Sequence, residues 1–447
     1  MKLYYTIMQH KKSILFLLFL SFVFPSFGQN GLNSVYSRYG LGDPVNTNFM
    51  HMRSIGNISA GYQDPYLINI VNPASLGHLR SVAFDVGINI RLASINDGTL
   101  TQGIESGNLD YISFALPLIN KVNEILEREE RGYNIATAFT LMPHTRVGYD
   151  ISSVSETDEF GTVVRNFKGS GGSYKFLWSN SIRYQSFSFG LNLGYLFGKI
   201  SYERNVFFDQ NEYAFDTQFS NDFGVRGFLW NAGVQYAHTF NKEASQSQAG
   251  VLPKTLVIGL HYGTNTNMST NSDILEVTSG FGRNNDTLSA TIDIPGDGVM
   301  PGELGVGFMY RNGDKWSFGV NYATTNWSAY KNDAKPEQLS DATSFGIGDQ
   351  YQPNYLSQNS YWDRVFYRVG FNYNLDARNI SGAELKSYAL TFGLGLPFIY
   401  QRNISHANLG FELGRRGQDT PISESYMKIN FGFTFNDSQW FLKRRYD

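Results

Sequence analysis

The groups through which this chain of 447 residues could do chemistry are few and dispersed: seven histidines, 39 acidic residues, 36 basic residues and no cysteine. Without cysteine there is no thiol nucleophile, disulfide, zinc finger, iron–sulfur ligation or lipid-modified thiol. His51, His78, His144, His238, His261 and His406 lack any His-x-x-x-His or related spacing, so no metal centre is expected. Asp293 and Asp297 stand beside Gly296 and Gly298, but the periodic ligands of a calcium loop are missing and the stretch reads as a Gly/Pro turn. Neither a Gly-x-Ser-x-Gly elbow nor a P-loop occurs, and no catalytic residue or cofactor is assigned. Glu124, Glu127, Glu129 and Glu130 crowd together, yet Val122, Ile125 and Leu126 share their segment at helical spacing, which makes the carboxylates the solvated face of a short helix. Formal net charge is -3, so no electrostatic footprint for nucleic acid exists.

Four further charges, Asp85, Arg91, Arg183 and Arg368, gain meaning only from the elements that carry them. From Phe187 the odd positions Phe187, Phe189, Leu191, Leu193, Tyr195 and Phe197 are apolar, while Ser188, Gly190, Asn192 and Gly194 between them are small or polar. Successive strand side chains point to opposite faces, so such a strand meets two different environments. Val82 to Arg91, Trp316 to Tyr322, Val365 to Phe371, Tyr388 to Leu396 and Met427 to Phe435 repeat the pattern. A soluble sandwich or propeller also alternates. The segments approach the 9–11 residues that a tilted strand needs to cross a bilayer, aromatics gather toward their ends, and the second face is Gly-rich rather than Lys- and Glu-rich. Aromatics make up 15% of the chain and charged residues 17%, and after residue 28 no apolar run reaches the roughly 20 residues of a membrane helix. The reading is all-β: a transmembrane antiparallel β-barrel. Asp85, Arg91, Arg183 and Arg368 then face the lumen, where a narrow filled interior is expected to pair them with one another.

Fourteen alternating segments can be marked, from 81–93 through 133–150 and 302–311 to 425–435, the weakest being that around Phe345 and Ile347. An even number suits a single-chain barrel, with Gln185-Ser186 and Asn312-Gly313-Asp314 as short turns inside and the polar stretches 203–220, 265–301 and 375–386 as loops outside. The organisation read from this is a signal peptide at 1–28, a plug at 29–80, a barrel at 81–435 and a periplasmic tail at 436–447. Lys11 and Lys12 before Ile14–Leu20, with Ser26 and Gly28 at the small-residue positions, predict cleavage before Gln29 and export. The apolar core of about 11 residues is too short for a membrane anchor. Residues 29–80 lack alternation but carry Tyr36, Tyr39, Met50, Met52, Tyr62, Tyr66, Leu67 and Ile68, which suits a segment folded inside the lumen.

Arg53-Ser54-Ile55-Gly56-Asn57-Ile58-Ser59-Ala60-Gly61-Tyr62, followed by Asn72-Pro73-Ala74-Ser75-Leu76 directly before the first strand, resembles the hatch of the FadL family of outer-membrane proteins. The resemblance implies a fourteen-stranded barrel in the bacterial outer membrane, in contact with its lipid, with a hatch in which Gly56, Ala60, Gly61, Asn72, Pro73 and Ala74 are the marked positions. It further implies uptake of hydrophobic small molecules through a kink in the third strand; here that strand carries Leu141-Met142-Pro143-His144, and Pro143, which lacks a ladder donor, marks either a wall gap for lateral exit or merely the rim. The ending Tyr426 to Phe435 followed by Trp440 to Arg445 looks like that of Bacteroidetes members, although the chain continues past the last strand's aromatic residue; an interfacial Trp and Lys/Arg anchor or a partner contact would account for it. PorV-type relatives share hatch and barrel without transporting lipids. Two functions therefore stand: a transporter of small hydrophobic molecules, and a non-transporting barrel subunit of an outer-membrane protein export or barrel-assembly machine.

Overall fold

The structure is a computed structural model that describes residues 34–120, 123–124, 128, 131–158, 161–208, 214–247, 251–279, 286–400 and 403–439. Residues 1–33, on which the expected signal peptide falls, Val122, Ile125, Leu126 and three of the four clustered glutamates lie outside the described residues, as does the chain after 439.

Fourteen antiparallel strands close into a barrel. They are β1 (Val82–Asn96), β2 (Thr101–Pro117), β3 (Tyr133–Thr157), β4 (Gly161–Tyr184), β5 (Phe187–Phe208) and β6 (Asp216–Thr239). β7 runs as Lys254–Gly263 and continues as Thr266–Ser279, and β8 returns as Asp286–Met300 and Glu303–Asn312. The remainder are β9 (Trp316–Thr325), β10 (Ala342–Tyr351), β11 (Phe366–Ile380), β12 (Ala383–Tyr400), β13 (Asn403–Arg416) and β14 (Ser423–Asp437). Closure is made by β14 on β1, in register from Ser423 opposite Asn96 to Asp437 opposite Val82. The segment around Phe345 and Ile347 is a full strand, β10, paired on both sides.

Period two sorts the wall as the side chains require. Phe84, Ile88 and Ile90 face outward and are exposed, while Asp85, Asn89 and Arg91 between them are buried. Phe176, Trp178, Phe189, Tyr195, Phe228 and Phe392 belong to the same outward belt, which is the surface a bilayer covers.

The described residues of the stretches 203–220, 265–301 and 375–386 are mostly strand rather than loop. β5 runs on to Phe208 and β6 starts at Asp216, the two halves 266–279 and 286–300 form a paired hairpin, and β11 and β12 turn only at Ser381-Gly382. Apolar alternation marks where a strand meets lipid; above the lipid the ladder continues with polar residues on both faces, so hydrophobic periodicity ends before the strand does. β3 to β6 reach 22 to 25 residues for this reason. Asp293 and Asp297 sit on this extension of β8 rather than in a turn, with Asp293 at φ 58 beside a bulge and held by Asn271 at 2.9 Å.

Inside the barrel lies the plug, which has almost no regular structure: 3-10 turns at Val35–Arg38 and Pro73–His78, one helical turn, α1 (Met50–Arg53), and a two-residue strand at Asp43–Pro44. Phe49, Met50, Met52, Ile55, Ile58, Tyr62, Ile68 and Ile70 are buried in one cluster with the wall residues Tyr111, Ala138, Met142 and Met309. Many lumen-facing wall positions are glycine because plug backbone lies directly on them. A Cβ at Gly259 would overlap the Ala60 carbonyl, and one at Gly370 would overlap the Gly56 amide. Gly259→Val is therefore expected to unseat the middle of the plug, costing about 1–3 kcal/mol of stability. Its barrel should still migrate as a compact species in unheated gels but open to limited proteolysis between residues 50 and 75; an unchanged digestion pattern would remove the close-packing account.

Candidate functional site: the plug and its seat

A buried irregular segment must find a partner for each main-chain amide and carbonyl, since water does not reach them. Here carboxamides of the wall supply many. Asn134 Nδ2 donates to the carbonyls of Gly77 (2.8 Å) and Leu79 (3.0 Å), and Asn192 Nδ2 donates to that of Ile70 (2.7 Å). Gln235 Nε2 reaches the carbonyls of Ala60 (2.8 Å) and Tyr62 (3.1 Å), and Asn436 Nδ2 that of Tyr66 (2.9 Å). Asn321 Oδ1 accepts from the Ala60 amide at 2.9 Å. Asn436 and Asp437 still pair with β1, so the barrel extends two residues beyond the boundary read from sequence.

The hatch motif residues lie at the centre of this seat. Asn72 is fully buried; its Oδ1 accepts from the Ala74 amide (3.2 Å) and its Nδ2 donates to the Ala60 carbonyl (2.7 Å), closing the loop between the two halves of the motif. Pro73 opens the 3-10 turn, where a missing N–H costs nothing, and packs its main chain on Gly190 of β5. The Ala74 carbonyl accepts from Ser181 Oγ at 3.1 Å. Gly56 adopts φ 73 against the main chain of Ile347 and Phe371, a place and conformation that only glycine fills, and Gly61 lies on the main chain of Phe308 and Met309.

The four charges singled out from sequence do not pair with one another. Arg91 pairs with Glu424, Asp85 accepts from Thr434 Oγ1 (2.7 Å), and Arg368 donates to Gln350 Oε1 (2.8 Å) and Asn408 Oδ1 (2.7 Å). Arg183, near the short-turn end, donates to the Gln185 carbonyl (3.1 Å). Asp85 and Arg91 share β1 and turn to its neighbour β14, Arg368 on β11 turns to β10 and β13, and Arg183 on β4 bonds the turn that follows it. The networks that do tie plug to wall were missed. Arg53 meets Asp110 at 2.5 Å, and Arg146 meets the same carboxylate at 2.9 Å; a bulge in β2 opposite Gly87 and Ile88 leaves Asp110 without a ladder partner and turned inward. Asp43 bridges Arg378 (2.5 Å) and Arg416 (3.1 Å), with Asp376 completing the group. Burial pushes the Asp43 carboxyl up, but Arg416 and Arg378 more than offset this and hold it below the usual carboxylate range.

The wall is split beside Pro143. β2 pairs with β3 only from Pro117 opposite Ala136 to Ile112 opposite Leu141, and above that point the two strands separate. Pro143 stays paired with Tyr174 of β4, and His144 forms a bulge before pairing resumes at Thr145. On the β2 side its place is taken by the plug: Asp43 and Pro44 pair with Arg146 and Thr145, Val45 donates to the His144 carbonyl (2.9 Å), and Ser34 to that of Gly148 (2.8 Å).

A half-open cavity between plug and wall toward the long-strand end measures about 390 Å³ and is lined by polar residues such as Asn46, Asn89 and Asn372 together with the apolar Val45, Val71, Phe345 and Leu375. Deeper in the plug, His51 lies between Phe49 and Tyr62 with neither ring nitrogen partnered among the described residues. Burial, and then Arg368, hold its pKa well below the ordinary value; burial and Arg183 do the same to His78. Both rings are neutral when folded, whereas the unfolded chain takes up protons below about pH 6.5. Stability is thus complete above that pH and is lost as pH falls below it. The thermal midpoint in detergent should drop between pH 7.5 and pH 5, and His51→Gln with His78→Gln should flatten that slope; an identical slope in the double variant would refute the assignment. Asp43→Asn should expose residues 34–45 to protease added from the long-strand side while the barrel remains folded, because it removes one of the two carboxylates that Arg378 and Arg416 share, at a cost below the roughly 3–5 kcal/mol of a fully broken buried pair.

No curated protein matches the sequence. Among solved structures, the channel CymD, described as a monoaromatic hydrocarbon channel, is similar with a TM-score of 0.54 at 14% identity over 89% of this chain and 99% of that one. The Pseudomonas putida toluene transporter TodX gives 0.54 at 14% identity over 88% and 99%, and a Pseudomonas aeruginosa FadL homologue 0.54 at 10% identity over 88% and 99%. At such identities the likeness speaks for the fold alone: a closed fourteen-stranded barrel with an N-terminal plug. The family model described as BamG matches residues 9–447, and the chain is accordingly a member of the BamG family.

Proposed function

We propose that this protein is a plugged, non-transporting barrel of the bacterial outer membrane that serves as a subunit of a protein export or barrel-assembly machine. The observation that carries this reading is the seat itself: the plug is held along its length by wall carboxamides and ion pairs. An occupant that must move aside for each passing molecule would have to break these contacts together. Membership of the BamG family is compatible with the reading. Delivery would follow cleavage before Gln29, with the outward aromatic belt in contact with lipid. Gentle detergent extraction followed by mass spectrometry should recover a defined complex, and the purified barrel should be non-conducting in planar bilayers. A clean monomer would count against it.

One observation favours the other reading, entry of small hydrophobic molecules: the wall separates between β2 and β3 beside Pro143, where a sideways exit would lie. On that reading, deletion of the barrel abolishes uptake of a monoaromatic hydrocarbon, and Asp43→Asn, which loosens the segment covering the split, raises it. On the subunit reading, neither changes uptake.

A further inference from the structure

At the short-turn end, where the plug meets the wall, basic side chains converge without acidic ones. A half-open cavity of about 240 Å³ is lined there by His78 and Arg80 of the plug and by Arg131, Tyr133, Arg183 and Gln185 of the wall, and no carboxylate among the described residues borders it. The rest of the lumen is arranged otherwise: Arg53 and Arg146 share Asp110, Arg91 meets Glu424, and Arg378 and Arg416 meet Asp43 and Asp376. Arg80, Arg131 and Arg183 have no ion-pair partner among the described residues, and the one side-chain bond of Arg183 runs from Nε to the Gln185 carbonyl. Arg80 and Arg131 are exposed and Arg183 is half-buried.

The main chain builds this convergence. The Arg80 amide donates to the Pro65 carbonyl (2.9 Å), and Asn134 holds the carbonyls of Gly77 and Leu79, so the last residues of the plug are fixed against the wall. The Gln185 amide donates to the Gly132 carbonyl (3.2 Å), which sets Arg131 beside the turn that follows Arg183. Guanidinium groups stay charged at any physiological pH, so the three repel across the seam between plug and wall until an anion enters. Their planar forks match the oxygens of a phosphate or a carboxylate in pairs. Location chooses between the two. Tyr133 and Tyr184 stand opposite each other in β3 and β4, both exposed, and Tyr184 follows Arg183 directly, so the cavity opens at the aromatic girdle that marks the bilayer interface. Lipid phosphates lie at that level, where basic pockets take headgroups. We propose that this cavity binds a phosphate-bearing anion, the headgroup of a phospholipid in the leaflet at the short-turn end, held by Arg80, Arg131 and Arg183. Bound there, it bridges plug and wall and relieves the repulsion between them. The inference stands apart from the choice between subunit and transporter.

Native mass spectrometry of the full-length protein in an uncharged detergent, titrated with phosphatidylglycerol, should show one lipid held more tightly than the rest. Arg80→Gln combined with Arg131→Gln should lower that affinity roughly fivefold per guanidinium removed, whereas Lys254→Gln, at the same end of the barrel, should leave it unchanged. Both arginines are exposed, so the double variant should keep its heat-modifiable gel shift, and Arg80→Lys with Arg131→Lys should restore most of the affinity. Inorganic phosphate that binds with the same dependence on Arg80 and Arg131 and displaces the lipid would support the anion site and assign it a soluble source. Full lipid affinity in the double Gln variant, no tightly held phosphate species in the wild type, or arginine-dependent binding of a tetraglutamate peptide alone would overturn the inference.

Discussion

Roughly 45 residues of mostly irregular chain lie largely buried inside the barrel, and each buried amide or carbonyl would cost about 1–3 kcal/mol if left without a partner. That constraint shapes the rest of the molecule. The wall answers with Asn134, Asn192, Gln235, Asn321 and Asn436, whose side chains replace the ladder that the plug cannot form with itself, and with glycines where main chain must touch main chain. The inner face of each strand is thereby committed to polar or vanishing side chains. The outer face is committed to apolar ones, and period-two alternation is the result.

The same commitment bears on function. The inner face holds peptide backbone along the plug, and the cavity toward the long-strand end is lined by polar and apolar groups alike. The split beside Pro143 is covered by the plug's own Asp43–Pro44 strand, which is tied in turn to Arg378 of β11 and Arg416 of β13. A gap in the ladder is thus converted into another plug contact.

Much of this was legible in the residues. Alternation located all fourteen strands, including the weak one around Ile347, because lipid imposes a hydrophobic face wherever a strand crosses it. It failed above the membrane, where β5, β6, β7 and β8 run on as polar hairpins that look like loops in sequence. Asn72-Pro73-Ala74 stood out by its resemblance to the FadL-family hatch and its place directly before the first strand, and the structure gives the reason: Asn72 caps the turn that Pro73 opens. The partners of the lumen charges were invisible: Glu424 lies 333 positions from Arg91, and Asp110 faces inward only through a bulge that spacing does not announce. The wall carboxamides read as generic polar alternation, since nothing in a single strand says that a peptide will lie on it.

Hydrogen–deuterium exchange of the detergent-solubilised protein tests the central claim most directly. If the wall carboxamides satisfy the plug, the amides between Ile55 and Leu79 exchange as slowly as those of the barrel strands, and Asn192→Ala with Gln235→Ala selectively accelerates them. Exchange of that stretch within seconds in the wild-type protein, beside a protected barrel, would contradict the account.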